Sequence, residues 1–205
     1  MESSWKCMDT KETKKSKDTV VLIHGLGAHR FTMHPLAYWL QHDFSRVINW
    51  GYRSLWSSIE SHAEQFEQLL RRLDGEQVEG NLHIVSHSMG GIVTRTVLSH
   101  YVPKHLGRIV MLAPPNQGSH VAKHLAPWLG RLVPPLHQLS SDEGSYVTEL
   151  QVPTGIPVGI LAAERDFLVH LESTHLPTEN DHMVLLWIHS SICQAQRDCQ
   201  ASGPL

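Results

Sequence analysis

The chain has 205 residues, of which 41% are hydrophobic and 18% charged, a composition that favours one globular domain over a disordered chain or a two-domain enzyme. The formal charge is −3 and the lysines cluster only in the first 18 residues, so we expect no nucleic-acid partner. The apolar runs are shorter than the roughly 20 residues that span a bilayer, and the N-terminus lacks the apolar core of a signal peptide. We therefore expect no integral membrane segment, a cytoplasmic location and three reduced cysteines.

Three regions follow from the change of composition along the chain. Residues 1–18 are polar and rich in lysine, which predicts a flexible leader. Residues 19–199 carry the apolar patterns of a single domain, and residues 200–205 form a C-terminal tail.

Short apolar runs alternate with helical patterns through this domain. The run that starts at Thr19 predicts a strand that ends at Gly25, and Ser57 with Glu60 forms a capping box ahead of a helix that ends near Gly75. Further strands are predicted at 46–50, 81–87, 108–113, 157–163 and 183–187, and further helices at 32–41, 88–101, 119–132 and up to about 197. Continuous apolar strands that alternate with helices predict a three-layer α/β/α sandwich with a mainly parallel central sheet.

The residues that follow the predicted strands carry the chemistry, because ligands of parallel sheets bind beyond the carboxyl ends of the strands. Ser88 lies between a strand and a helix, where a nucleophile needs very small residues two positions before and after it. Gly90 meets this requirement on one side, and Ser86 replaces the usual glycine on the other. Downstream aspartate and histidine residues complete the order Ser, Asp, His, which favours nucleophilic catalysis by Ser88.

Six segments together resemble the α/β-hydrolase superfamily, and specifically its small bacterial lipase-like or esterase-like members. These are VVLIHGLGAHR, INWGYRS, HIVSHSMGGIV, MLAPPNQGS, RDFLVHLESTHLP and NDHMVLLWIHSS, within residues 19–193. The resemblance implies a serine hydrolase with a minimal cap and no cofactor. It also implies an oxyanion hole made by the backbone N–H groups of Leu26 and Met89.

The acid of the triad is assigned to Asp166, after the fifth strand. The resembling family has a glycine after this aspartate, whereas this chain has Phe167, which tolerates positive φ poorly. Glu164 and Asp142 are weaker candidates for the same role.

The base is assigned to His189, because it follows the last strand and matches the family's histidine position. His182 precedes that predicted strand, and we interpret it as a loop histidine held near Asp181.

Candidate substrate contacts lie between the fourth and fifth strands. Gln117 is one, although a helix N-cap at Ser119 explains its segment equally well. Trp128 and Leu132 belong to the apolar segment 125–136, which is either ordinary core or a lid over the acyl chain. His120 and His124 are spaced for a shared metal, but they lack a third ligand, so we expect a surface pair and no metal site.

The sequence thus predicts a serine hydrolase of carboxylic esters, acting on small-molecule acyl esters or lipid-like substrates. An acyltransferase, thioesterase or amidase of the same fold remains open because it would use the same triad. A catalytically silent binding protein is the other alternative, which the departures at Ser86 and Phe167 favour. The oligomeric state stays open.

Overall fold

A computed structural model describes residues 15–76, 80–150, 154–164 and 166–185. Six strands form one sheet in the order β2-β1-β3-β4-β5-β6, and each neighbouring pair is parallel. The strands are β1 Ser16–Ile23, β2 Phe44–Trp50, β3 Leu82–His87, β4 Leu106–Leu112, β5 Val158–Ala163 and β6 Asp181–Leu185. The helices are α1 His34–Leu40, α2 Ile59–Gly75, α3 Met89–Leu98, α4 His120–Leu129, α5 Pro135–Gln138 and α6 Tyr146–Glu149. The predicted α/β class with a parallel sheet is confirmed.

Both faces of the sheet are buried, and β1 shows why its sequence is a continuous apolar run. Val21 and Ile23 pack into the larger core cluster, which includes Phe66 of α2 and residues of α3. Val20 and Leu22 point to the opposite face and pack with Met33 and Ala37 of the α1 region. Successive side chains of a strand alternate between faces, so a strand covered on both sides needs apolar residues at every position.

Several element boundaries differ from the sequence predictions by one to three residues, and hydrogen bonds explain two of the differences. β1 begins at Ser16 rather than Thr19, because the Ser16 N–H donates to the Asp43 carbonyl at 2.8 Å and extends the ladder with β2. The N-cap of α2 is Ser58 rather than Ser57, and the Ser58 hydroxyl accepts the Ser61 N–H at 3.3 Å. The predicted C-terminal helix, most of the leader and the C-terminal tail lie outside the described residues.

The connection between β4 and β5 contains α4, α5 and α6, which are all short. Among the described residues, no helix combines the length and the hydropathy needed to cross a membrane. The carboxyl ends of β1, β3 and β5 lie at one edge of the sheet, because parallel strands all end on the same side. The turn at Gly25, Ser88 and the loop with Asp166 therefore share this edge.

Candidate active site

Ser88 has a strained backbone at the junction of β3 and α3. Its φ of 51° and ψ of −125° lie outside the regions that ordinary residues adopt. Such a conformation costs of order 1–3 kcal/mol and persists only where its surroundings hold it. The Ser88 N–H donates to the Leu112 carbonyl at 2.8 Å, and the Ser88 carbonyl accepts the Gly91 N–H at 2.8 Å. The fold therefore holds this side chain, which is half-buried, at the edge of the sheet.

Close backbone packing surrounds this turn. A Cβ atom at Gly90 would lie 2.8 Å from the carbonyl oxygens of Ile23 and His24, and one at Gly25 would lie 2.9 Å from the Ser88 Cβ. Ser86 stands where the resembling family has glycine, and the sheet accommodates it. Its side chain is fully buried, and its hydroxyl donates to the Val110 carbonyl at 3.4 Å.

Two backbone N–H groups beside Ser88 are available to a ligand. Within the part of the chain that the structure describes, neither the Leu26 N–H nor the Met89 N–H donates a hydrogen bond. Leu26 lies in a turn closed by the Ala28 N–H and the Gly25 carbonyl at 3.4 Å. Two N–H groups that find no acceptor among the described residues, close to a serine hydroxyl, could stabilise an oxyanion.

His24 and Tyr52 join this turn to the loop after β2. The His24 Nδ1 lies 2.9 Å from the Gly25 carbonyl oxygen, and its Nε2 accepts the Tyr52 N–H at 3.4 Å, so the ring is neutral and protonated at Nδ1. The Tyr52 hydroxyl donates to the His24 carbonyl at 2.8 Å, and the two rings stack at 4.4 Å. Burial lowers the pKa of His24 and raises that of Tyr52.

His62 of α2 extends this buried group, since its ring meets the edge of the Tyr52 ring at 4.7 Å. Burial lowers the pKa of His62 below that of an exposed histidine, and its side chain is 1% exposed. Tyr52 and His62 were not predicted from the sequence to lie near the site. The polar residues that directly follow β2 were the available signal, because they reach the same sheet edge as Ser88.

Asp166 follows β5, and a tight turn orients its carboxylate. Its Oδ1 accepts the Leu168 N–H at 2.8 Å and the Val169 N–H at 3.2 Å, whereas its Oδ2 accepts no hydrogen bond from the described residues. Phe167 is not among the described residues with positive φ, so the glycine of the resembling family is not needed for this turn.

The segment after β4 holds the loop that carries Asp166. Three hydrogen bonds connect the two segments. The Asn116 side chain donates to the Thr174 carbonyl at 2.7 Å, and the Gln117 N–H donates to the Ser173 carbonyl at 2.9 Å. The Ser119 hydroxyl donates to the Leu168 carbonyl at 2.8 Å. The Gln117 side chain, considered as a substrate contact, has its Nε2 3.5 Å from the His175 carbonyl oxygen. Ser119 also caps α4, since its hydroxyl accepts the Ala122 N–H.

Arg95 is a buried cation that the sequence did not reveal, because a lone arginine in a helix is usually solvated. Its Nη1 donates to the Asn116 carbonyl at 3.0 Å and its Nη2 to the Leu150 carbonyl at 2.7 Å. Burial lowers the pKa of Arg95 to about 10, which leaves it charged at neutral pH. Arg95 therefore links the helix that follows Ser88 to the segment that holds the Asp166 loop.

The assigned base, His189, lies outside the described residues. His182 lies within β6 rather than in the expected loop, and its contacts are with Thr174 and His175 rather than with Asp181. Its Nε2 is 2.9 Å from the Thr174 hydroxyl, and its ring stacks on His175 at 3.9 Å. Burial lowers the pKa of His182.

His175, Glu179 and His182 bring nitrogen and oxygen atoms within 4.8 Å of one another, as a metal site would. The two imidazole rings, however, lie 16° from parallel, so their in-plane lone pairs do not converge on one ion. Hydrogen bonds explain the cluster instead, because the His175 Nδ1 bonds to Glu179 at 2.7 Å and His182 bonds to Thr174. We assign no metal to it.

The other acidic candidates have different surroundings. Asp142 lies 2.6 Å from the Lys123 ammonium group, and this hydrogen bond lowers the pKa of Asp142. Glu164 is exposed, and its N–H donates to the Leu185 carbonyl at 2.8 Å.

The apolar segment 125–136 divides between surface and core. Trp128 is 85% exposed and Leu132 68% exposed, whereas Leu136 is buried and Val133 packs against the core cluster. The core interpretation therefore holds for Val133 and Leu136, whereas Trp128 and Leu132 lie at the surface. His120 and His124 are exposed, and the His120 ring lies edge-on to His170 at 5.1 Å.

Solved structures of similar fold come from several microorganisms. Phospholipase PlaB from Legionella pneumophila, in complex with thio-NAD, aligns with a TM-score of 0.62 and 21% identity over 77% of this chain and 44% of its own. A mature lipase from Bacillus licheniformis, BlEst2, aligns with a TM-score of 0.70 and 18% identity over 89% of both chains. A monoacylglycerol lipase from Paleococcus ferrophilus aligns with a TM-score of 0.58 and 17% identity over 84% of this chain and 85% of its own. These likenesses show a shared fold, and this chain spans less than half of the phospholipase.

No protein of curated function matches the sequence. A family model does match, and it covers residues 14–153, which is more than half of the chain and includes β1 to β4 with the Ser88 turn. Together with the parallel sheet, this match shows that the chain belongs to the serine aminopeptidase S33 family (Hydrolase_4) of α/β-hydrolases.

Proposed function

We propose that this protein is a serine hydrolase that cleaves carboxylic esters through an acyl-enzyme on Ser88. The observation that carries the proposal is the strained turn at Ser88, with its φ of 51°, near the N–H groups of Leu26 and Met89, for which the described residues provide no acceptor. Strain of this kind is retained at functional sites. A structural turn would relax by taking glycine or an ordinary backbone conformation at this position.

The reaction would proceed in two steps. The Ser88 Oγ attacks the ester carbonyl carbon while His189 accepts its proton, and Asp166 orients the histidine. The carbonyl oxygen becomes negative and is stabilised by the two backbone N–H groups, each such donor contributing about 10²–10³ in rate. The bond to the alcohol then breaks, and the alcohol leaves with the proton. A water molecule, deprotonated by the same histidine, releases the acid and regenerates Ser88.

The structural neighbours support esters as the substrate class, since they include a lipase, a monoacylglycerol lipase and a phospholipase. The serine aminopeptidase family instead suggests cleavage of an amino-terminal amide bond. An aminopeptidase needs an anionic group for the substrate's free ammonium. The cleft beside the Leu26 turn contains Arg30 and Arg53, and none of its lining residues is acidic. This charge disfavours an ammonium group, so we rank esters above amides.

Labelling with a fluorophosphonate and hydrolysis of p-nitrophenyl butyrate test the proposal together. The Ser88→Ala variant should lose labelling and about 10³-fold or more in kcat/KM. Ser86→Ala is the matched control, because it removes a hydroxyl two residues away, and it should retain both signals. A tenth of the wild-type activity left in Ser88→Ala would contradict the proposal. No labelling of the wild type would indicate a binding protein. Leucine p-nitroanilide, measured in parallel, should be the poorer substrate, and the reverse order would indicate an amidase.

Two histidine variants test the base. His189→Asn should abolish turnover, because Ser88 then has no proton acceptor. His182→Asn is its matched control and should retain turnover, since the His182 Nε2 is bonded to Thr174 at 2.9 Å. If the two outcomes were exchanged, the base would be His182.

A further inference from the structure

A cleft of about 410 Å³ lies beside the turn that carries Leu26. Its walls are two loops, residues 27–30 after β1 and residues 51–56 after β2. Ser54 connects the walls, because its hydroxyl oxygen accepts the Gly27 N–H at 3.1 Å. We call this space the arginine cleft, after Arg30 and Arg53 in its walls.

The arginine cleft opens next to the proposed oxyanion donor. Gly27 in its wall directly follows Leu26, and Gly25 on the other side of Leu26 packs against Ser88, where an added Cβ would lie 2.9 Å from the Ser88 Cβ. If the carbonyl oxygen of a substrate binds the Leu26 N–H, either the acyl part or the alcohol part of that substrate can therefore reach this cleft.

The walls of the cleft carry positive charge without a neutralising carboxylate. Arg30 and Arg53 are exposed, and neither forms an ion pair within the described residues. From residue 19 to residue 59 the sequence contains one acidic residue, Asp43. The Asp43 carbonyl bonds to the N–H of Ser16 at the start of β1, so Asp43 lies at the opposite edge of the sheet from the cleft. Two uncompensated guanidinium groups favour an anionic ligand.

On the other side of Ser88, large apolar side chains are exposed, interspersed with charged ones such as Lys123 and Arg131. Trp128 and Leu132 are exposed in the connection after β4, and Phe167 and Leu168 are exposed in the loop after β5. A hydrogen bond of 2.8 Å from the Ser119 hydroxyl to the Leu168 carbonyl connects these two regions. The strand order β2-β1-β3-β4-β5-β6 places β3, which leads to Ser88, between the arginine cleft and these apolar side chains.

We propose that the substrate is an anionic amphiphile, a carboxylic ester with an apolar acyl chain and a phosphate group on its alcohol part. The inference rests on the proposed ester hydrolysis at Ser88. The phosphate binds Arg30 and Arg53 in the arginine cleft, since guanidinium groups form charge-assisted, bidentate hydrogen bonds with phosphate. The acyl chain lies on the side of Trp128 and Leu132. Ester hydrolysis then releases a fatty acid and a phosphorylated alcohol.

Two soluble substrates that differ by one phosphate group test the inference. We would measure kcat/KM at low ionic strength for 1-hexanoylglycerol and for 1-hexanoylglycerol 3-phosphate. The wild type should prefer the phosphorylated ester by about tenfold, as expected for charge-assisted hydrogen bonds. Arg30→Gln and Arg53→Gln should each reduce this preference about threefold. Arg108→Gln is the matched control, because Arg108 is exposed in β4, away from the cleft, and it should retain the preference.

Each other outcome has a distinct meaning. Equal rates for the two esters, or the same loss of preference in Arg108→Gln, would overturn the inference and leave the proposed function intact. A stronger preference for a carboxylate on the acyl side, measured as p-nitrophenyl glutarate against p-nitrophenyl butyrate, would overturn the orientation. Fluorophosphonate labelling without hydrolysis of either hexanoyl ester would overturn the substrate class alone. Absence of labelling and of all ester hydrolysis would overturn the proposed function itself.

Discussion

The packing of Gly90 against β1 allows the Ser88 turn to be tested without changing any reacting group. In Gly90→Ala the new Cβ would lie 2.8 Å from two backbone carbonyl oxygens, about 0.6 Å short of the 3.4 Å at which ordinary contact begins. Overpacking of this kind costs about 1–3 kcal/mol, and the better helix propensity of alanine offsets up to about 1 kcal/mol of it. We therefore expect a net loss of about 1–2 kcal/mol and a decrease in Tm of about 2–8 °C.

The Gly90→Ala variant should also lose activity. To relieve the contact, α3 must move away from β1, and the Met89 N–H moves with it relative to Leu26. A displacement approaching 1 Å costs up to about 10²-fold in rate, so kcat/KM for p-nitrophenyl butyrate should decrease by about 10-fold to 10²-fold.

Gly75→Ala is the matched control for this variant. Gly75 is the last residue of α2, and an added Cβ meets nothing within 4 Å, so this variant should gain about 0.5–1 kcal/mol and keep full activity. Thermal unfolding by circular dichroism and initial rates would be measured on all three proteins. A Gly90→Ala variant with wild-type Tm and wild-type kcat/KM would refute the reasoning, because α3 and β1 would then be further apart than described.

Three further predictions follow from the site and its surroundings. Burial lowers the pKa of His24 and His62 below the ordinary 6.5, so the unfolded chain binds more protons than the folded chain as the pH falls. The Tm should therefore decrease between about pH 7 and pH 5. A constant Tm over this range would contradict the prediction. Asp166→Asn should reduce kcat far more than it raises KM, because the base then adopts the wrong tautomer, and Glu164→Gln should not. Trp128→Ala should alter the preference among C4 to C8 p-nitrophenyl esters more than maximal turnover, and an unchanged chain-length profile would show that the acyl chain lies elsewhere.

The Ser88 turn shows which part of the candidate site can be predicted from sequence. Ser88, Gly90 and the apolar run before them are neighbours in the chain, so a strand, a sharp turn and a helix could be inferred from local pattern. The same holds for Asp166, which follows an apolar run directly. The roles assigned to Asp166 and His189 stay predictions, because the contact between them is not among those that the structure describes.

Other contacts near the Ser88 turn join residues that are far apart in sequence, so the local sequence pattern does not predict them. Arg95 bonds to the Leu150 carbonyl, 55 positions away, and its neighbours in α3 gave no sign of its burial. The stacking of His24 on Tyr52 likewise depends on how β1 and β2 pair. The sequence did not distinguish core from surface positions in segment 125–136 for the same reason, since the burial of an apolar residue depends on how its helix packs.

The sequence by itself determined that this chain folds as an alternating α/β protein with a parallel sheet, because continuous apolar strands and amphipathic helices are dictated by burial at each position. It also determined which residues follow the strands at the edge of the sheet. The tertiary structure alone decided the strand order, the burial of Arg95 and the stacking of His24 on Tyr52. These features depend on long-range register and packing, which many distant side chains set together, and no local pattern contains them.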